Sequence, residues 1–87
     1  MEFEFDPAKS ESNREKHGID FVEAQELWDD PNYLIAPART VSELRYALIG
    51  QWRGKLWTCI FTSRKGNLRI ISARRARKNE EERYYYS

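Results

Sequence analysis

From residue 43 to residue 73 the chain reads as three runs of strand-forming, period-two sequence, separated at Arg53-Gly54 and at Lys65-Gly66-Asn67. A two-residue period belongs to an extended chain, and a short glycine-bearing break between two such runs makes a hairpin. Strands are therefore expected over residues 43–52, 55–63 and 68–73, consecutive and antiparallel, with a shorter one over residues 33–36. Leu56 to Phe61 is apolar on both faces, which marks a central strand covered by helices on at least one side. In the last strand, alternation points Arg69, Ile71 and Ala73 one way and Leu68, Ile70 and Ser72 the other.

Helix signals flank this block. Phe3 to Phe5 is short and β-prone; Asp6-Pro7 then supplies an N-cap and a proline at the first helical position, opening a helix over Pro7–His17 that closes on Gly18. Its i, i+4, i+7, i+8 stripe is Lys9, Asn13, Lys16 and His17, polar where a buried stripe is normally apolar. Asp20 and Glu23 form a capping box for a second helix with Phe21, Ala24, Leu27 and Trp28 on one face, stopped by Asp29-Asp30-Pro31. A third helix is expected from about Arg74, with Arg77–Glu81 and Lys78–Glu82 at the i, i+4 spacing. The whole reads as a single α+β domain over residues 1–87: an antiparallel sheet of about four strands, packed by two N-terminal helices and one C-terminal helix.

A chain of 87 residues with 40% hydrophobic content supports one modest core. Its apolar runs are too short to cross a bilayer, and the opening MEFEFD lacks the basic and apolar regions of a signal peptide, so a cytoplasmic protein is expected. Cys59, in the apolar run WTCIF, reads as a core residue, and one Cys with one His cannot build a structural zinc site. Neither metal nor cofactor is expected.

Charge is divided unevenly. Residues 1–43 carry 4 Lys/Arg against 11 Asp/Glu, a net −7, and residues 44–87 carry 11 against 3, a net +8. Such a split suits a polyanion on one face and a basic partner on another, or two halves that neutralise each other across the fold. A helix start bears about half a positive charge, so each cation there costs on the order of 0.3–1 kcal/mol when exposed. Arg74, Arg75, Arg77 and Lys78 at such a start are best explained by a bound anion; the competing explanation is that they reach forward to Glu80–Glu82. Arg64 and Arg69 lie where they could converge with Arg74 on one end of the sheet as a phosphate clamp.

Histidine is the side-chain type that titrates nearest neutrality, which makes His17 the natural general acid or base, although its place before Gly18 also suits a helix C-terminus. Tyr84, Tyr85 and Tyr86 could stack on bases or pin the last helix. With no nucleophile constellation or glycine-rich phosphate loop, the toolkit is His, Lys, Arg, Tyr and Glu. RNA cleavage suits it, because the substrate's own 2′-hydroxyl attacks the adjacent phosphate once its proton is removed and cations hold the charge.

The blocks FEFDPAK at Phe3 to Lys9, NREKHGIDF at Asn13 to Phe21, WDDP at Trp28 to Pro31, FTSR at Phe61 to Arg64 and RIISARRA at Arg69 to Ala76 together resemble the BrnT family of toxins from bacterial type II toxin–antitoxin pairs. The resemblance implies a RelE-like fold, endoribonuclease activity that inhibits translation, and a BrnA-type antitoxin whose ribbon-helix-helix part contacts promoter DNA, so that the toxin reaches DNA only through it. It singles out Lys9, Asn13, Lys16, His17, Arg64, Arg69, Arg74 and Arg75. The chain departs from the family pattern at Phe5 and Phe61, where tryptophan and tyrosine are expected. His17, Arg64, Arg69 and Arg74 are thus the expected catalytic set, with Lys9, Asn13, Lys16, Arg75 and Lys78 binding RNA. The competing reading is a non-catalytic module that binds nucleic acid or a partner and acts as a co-repressor.

Overall fold

The computed structural model describes residues 2–39 and 42–86. Its elements run β1 (Phe3–Glu4), α1 (Pro7–His17), a 3-10 helix (Glu23–Asp29), β2 (Leu34–Ala38), β3 (Arg45–Trp52), β4 (Lys55–Arg64), β5 (Asn67–Arg75) and α2 (Lys78–Tyr86). The sheet has five strands, ordered β1-β5-β4-β3-β2. All pairs are antiparallel except β1 with β5, so the short opening segment adds an edge strand to the expected four. The β3–β4 and β4–β5 hairpins each turn on two residues of positive φ, Arg53-Gly54 and Lys65-Gly66, the backbone that matches the twist of the strands they join.

One face of the sheet carries the core. Leu48, Trp57, Cys59, Phe61, Ile70 and Ala73 meet Ile19, Phe21, Ala24 and Leu27 from the segment between α1 and β2. The capping box forms as read: Asp20 N–H donates to Glu23 Oε1 at 3.0 Å and Glu23 N–H to Asp20 Oδ1 at 2.7 Å. The helix it opens is 3-10 rather than α. Phe21, Ala24 and Leu27 recur every third residue, which matches three residues per turn, and all three are buried, whereas Trp28 is only half-buried. This helix lies so close to β3 that a Cβ on Gly50 would stand 3.1 Å from the Leu27 carbonyl oxygen.

Helix α1 docks without an apolar stripe. Its buried residues are Ser10 and Asn13, and both spend their side chains on backbone. Phe21 N–H donates to Ser10 Oγ at 2.9 Å. Asn13 Nδ2 donates to the carbonyls of Ile19 and Ala73, each at 2.8 Å, and its Oδ1 accepts from Ala73 N–H at 3.2 Å. Strand β1 pairs with β5 only at Leu68 and Arg69, so the edge of β5 beyond it is free at Ala73, and the Asn13 amide seals it as a strand would.

A β-bulge breaks the alternation in β5. Ser72 pairs with Ile60 and Ile70 with Phe61, leaving Ile71 as an extra residue. Ile70 and Ala73 therefore face the same core, contrary to the alternation that set them apart. Beyond the bulge every side chain is reversed relative to simple alternation, so Arg74 shares the open face with Arg69 while Arg75 turns to the core side.

Asn13→Ala would strip partners from Ile19 C=O and from both backbone groups of Ala73, at a cost of about 1–3 kcal/mol for each buried group left unmet. Denaturant unfolding should show a loss of about 3 kcal/mol for Asn13→Ala and under about 0.5 kcal/mol for Lys9→Ala or Lys16→Ala on the exposed side of α1.

Candidate functional site

The bulge sorts the basic residues of β5 onto two surfaces. On the core side, at the tip of the β3–β4 hairpin, a cavity of about 370 Å³ is lined by His17 and Gly18 from the end of α1, Trp52, Arg53, Lys55 and Trp57 from the hairpin, and Arg75 from β5. The exposed His17 thus stands among three exposed cations, and none of the lining residues is acidic. Two indoles stiffen the wall. Trp52 and Trp57 meet edge to face at 5.7 Å, the Arg53 guanidinium lies 4.4 Å above the Trp52 ring, and that of Arg75 lies 5.5 Å above Trp57. Arg75 is oriented further by its Nε–H, which donates to the Leu56 carbonyl at 3.3 Å. Trp52 Nε1 is buried with no hydrogen-bond partner among the described residues. The indoles themselves are buried, so they brace the two guanidinium groups instead of offering open faces, and cations with no acidic neighbour among the described lining residues make a receptor for a phosphate.

On the opposite face α2 covers only part of the sheet. The remaining groove, about 420 Å³, has small and aliphatic side chains for a floor, Ala47, Ile60 and Ile71 among them, and Arg39, Arg45, Arg74, Arg77 and Arg83 around it. Arg74 is already engaged: its fork meets Glu80 at 2.8 and 3.0 Å. Arg77 N–H donates to Glu80 Oε1 at 2.7 Å, and the buried Thr58 hydroxyl donates to the same oxygen at 3.0 Å. Burial works to raise the Glu80 carboxyl, but the bonds from Arg74, Arg77 and Thr58 outweigh it and bring it down to about 2.

The expected site residues do not gather in one place. His17 and Arg75 share the hairpin pocket, whereas Arg69 and Arg74 lie on the open face. Each member of the expected clamp has a carboxylate beside it: Arg64 is 3.9 Å from Glu43, Arg69 is 3.6 Å from Glu4, and Arg74 is joined to Glu80. The forward reach to Glu80 therefore describes Arg74. Arg74 and Arg75 are strand residues, so only Arg77 and Lys78 stand at the start of α2, and the unfavourable cluster at a helix start shrinks accordingly. Lys9, Lys16 and Lys78 are exposed. The buried Asn13 amide makes three bonds to backbone, and both of its N–H groups are taken. Sequence reading missed Trp52, Arg53, Lys55 and Trp57. Their signal was the interleaving of cations and indoles across one turn, WRGKLW.

Helix α2 buries no residue completely. A second polar anchor, at its far end, is the Tyr84 hydroxyl, which donates to Asp30 Oδ2 at 2.7 Å. Burial tends to raise Asp30, yet the bonds it accepts from Asn32, Tyr84 and Gln51 lower it on balance. Burial, then the bond to Asp30, pushes the Tyr84 phenol up to about 12. Of the three terminal tyrosines, Tyr84 pins the helix while Tyr85 and Tyr86 remain exposed.

A family model described as the ribonuclease toxin, BrnT, of type II toxin–antitoxin systems matches residues 5–80. The match takes in both surfaces up to Glu80 and leaves out Tyr84. No curated protein matches the chain.

The two anchors of α2 predict opposite pH limits. Tyr84 titrates above its ordinary value, so its contribution is complete below the ordinary phenol range, about pH 10, and is lost as pH rises through about 12. Glu80 titrates below its ordinary value, so its contribution is complete above about pH 4.5 and lost as pH falls through about 2. Ultraviolet titration of tyrosinate should show a step at about pH 12 that disappears in Tyr84→Phe. Helical circular dichroism should hold from pH 5 to 9 in the native chain.

Proposed function

The chain belongs to the BrnT family of ribonuclease toxins of type II toxin–antitoxin systems, and we propose that it is a metal-independent endoribonuclease whose cleavage centre is the hairpin pocket around His17. The observation that carries this reading is the sharing of one cavity by the chain's single histidine with Arg53, Lys55 and Arg75 and no carboxylate. In this reading the neutral imidazole takes the proton from a 2′-hydroxyl. The 2′-oxygen then attacks the adjacent phosphorus, the bond to the 5′-oxygen breaks, and the Lys55 ammonium supplies the proton that the leaving oxygen needs. The guanidinium groups of Arg53 and Arg75 stabilise the charge that builds on the phosphoryl oxygens, a task for which forked cations serve in place of a metal.

The clamp role expected of Arg64, Arg69 and Arg74 thus passes to Arg53, Lys55 and Arg75. His17 keeps the proton-transfer role, and Arg75 moves from binding the backbone to holding the scissile phosphate. Lys16, beside His17 on the exposed turn, extends the positive surface along the RNA. The β-sheet with its N-terminal helical segments and C-terminal helix is read as RelE-like. A BrnA-type antitoxin with a ribbon-helix-helix part would neutralise the toxin and carry it to promoter DNA. No helix of the described residues is long and apolar enough to cross a membrane, and the cytoplasm, where messenger RNA is translated, is the proposed place of action.

Expression of the chain without its antitoxin should arrest bacterial growth. The purified protein should cut RNA in the presence of a chelator and leave 2′,3′-cyclic phosphate ends. His17→Ala should lower the cleavage rate on the order of 10²–10⁴-fold, and Arg75→Ala on the order of 10²-fold. Full-rate cleavage by His17→Ala would remove the pocket from the mechanism. RNA binding without products would favour the co-repressor reading.

A further inference from the structure

We infer that the open-face groove beside α2 is the docking surface for an acidic, amphipathic segment of a protein partner, which in a toxin–antitoxin pair is the antitoxin. This inference depends on family membership and not on where RNA is cut. Two features of the groove choose its occupant. The first is charge: Arg77 and Arg83 stand around it together with Arg45, which shares Glu43 with Arg64 at 3.7 and 3.9 Å, and among the described lining residues the one carboxylate, Glu80, is already held by Arg74. That pair shows what the rim takes, since a carboxylate sits on the guanidinium fork at 2.8 and 3.0 Å and turns burial, which would raise it, into a net lowering.

The second feature is the floor. Ala47, Ile60 and Ile71 are half-buried and aliphatic, and no aromatic ring lines the groove. Single-stranded RNA gains much of its binding from bases stacked on aromatic rings, and this surface offers none. A protein segment that alternates small apolar side chains with Asp or Glu satisfies both floor and rim. The hairpin pocket differs in having no aliphatic floor: its cations stand on two buried indoles, which suits a phosphate better than an apolar side chain. The two cationic surfaces are therefore built for different polyanions.

The test uses the full chain with its cognate antitoxin. Arg45→Glu/Arg77→Glu/Arg83→Glu reverses the rim and leaves Glu80, Arg74 and the pocket intact; circular dichroism and thermal unfolding establish that the variant is folded. Its dissociation constant for the antitoxin, measured by titration calorimetry, should rise roughly a hundredfold or more, and co-expression of the antitoxin should no longer rescue growth. RNA cleavage by the variant alone should match that of the native chain. Antitoxin affinity within threefold of native would overturn the inference, because the partner would then dock elsewhere. Retained affinity with lost cleavage would hand the groove to RNA and overturn it equally. The affinity arm stands even if the native chain cuts nothing, so failure here and failure of the nuclease reading are told apart.

Discussion

One extra residue in β5 decides how the charge of this molecule is used. Strict alternation would place Arg69 and Arg74, five residues apart, on opposite faces of the sheet. The bulge at Ile71 puts them on the same face, lets Ala73 fill the core in place of Arg74, and swings Arg75 to the side where α1 ends. Neighbouring arginines thereby serve different surfaces. Arg74 is locked to Glu80 and helps fasten α2, whereas Arg75 lies over Trp57 in a pocket without acids.

Both α-helices are held by directional polar bonds rather than by broad apolar burial. Asn13 and Ser10 fix α1 through backbone groups of the sheet edge and the following loop; Glu80 and Tyr84 fix α2 at its two ends. Such bonds specify position more sharply than a greasy stripe, since a shift of about 1 Å breaks them. For α1 the consequence is chemical: with Asn13 seated on Ala73, His17 one turn later is delivered to the hairpin that carries Arg53 and Lys55. For α2 the consequence is economy of cover. A nine-residue helix with no fully buried side chain leaves much of the sheet face uncovered.

Local chemistry made much of this legible in advance. The caps around Pro7–His17, the two glycine-bearing turns and the period-two runs gave the helix and three strands nearly to the residue, because each depends on neighbours in the chain. The capping box at Asp20 was also right, while the winding it opens was not, although the three-residue spacing of Phe21, Ala24 and Leu27 held the clue. The polar stripe of α1 is odd in the sequence, and at Asn13 the structure supplies a reason that the sequence hides: the amide satisfies an unpaired strand edge, a need that only the short β1 creates. The arginines do not converge because the register spreads them along β5: Arg69 lies opposite Thr62 near the β4–β5 turn and Arg74 opposite Thr58, each beside a different carboxylate. The place of Arg75 is hidden for another reason: a bulge leaves no mark in composition, and its effect is to reverse every later side chain. The pocket itself was spelled out in WRGKLW, where the apolar indoles drew attention away from the cations between them.

The division of labour between the two cationic surfaces can be tested by locating a bound RNA that cannot react. Titration of the isotopically labelled chain with a 2′-O-methyl tetranucleotide, followed by nitrogen–proton correlation spectra, reports every backbone amide and the indole N–H groups. The perturbations should centre on His17, Arg53 and Arg75 and on the Trp57 indole, with Arg45, Arg77 and Arg83 unmoved. Perturbations centred on Ile71, Ser72 and Arg74, with the indole silent, would contradict that division of labour.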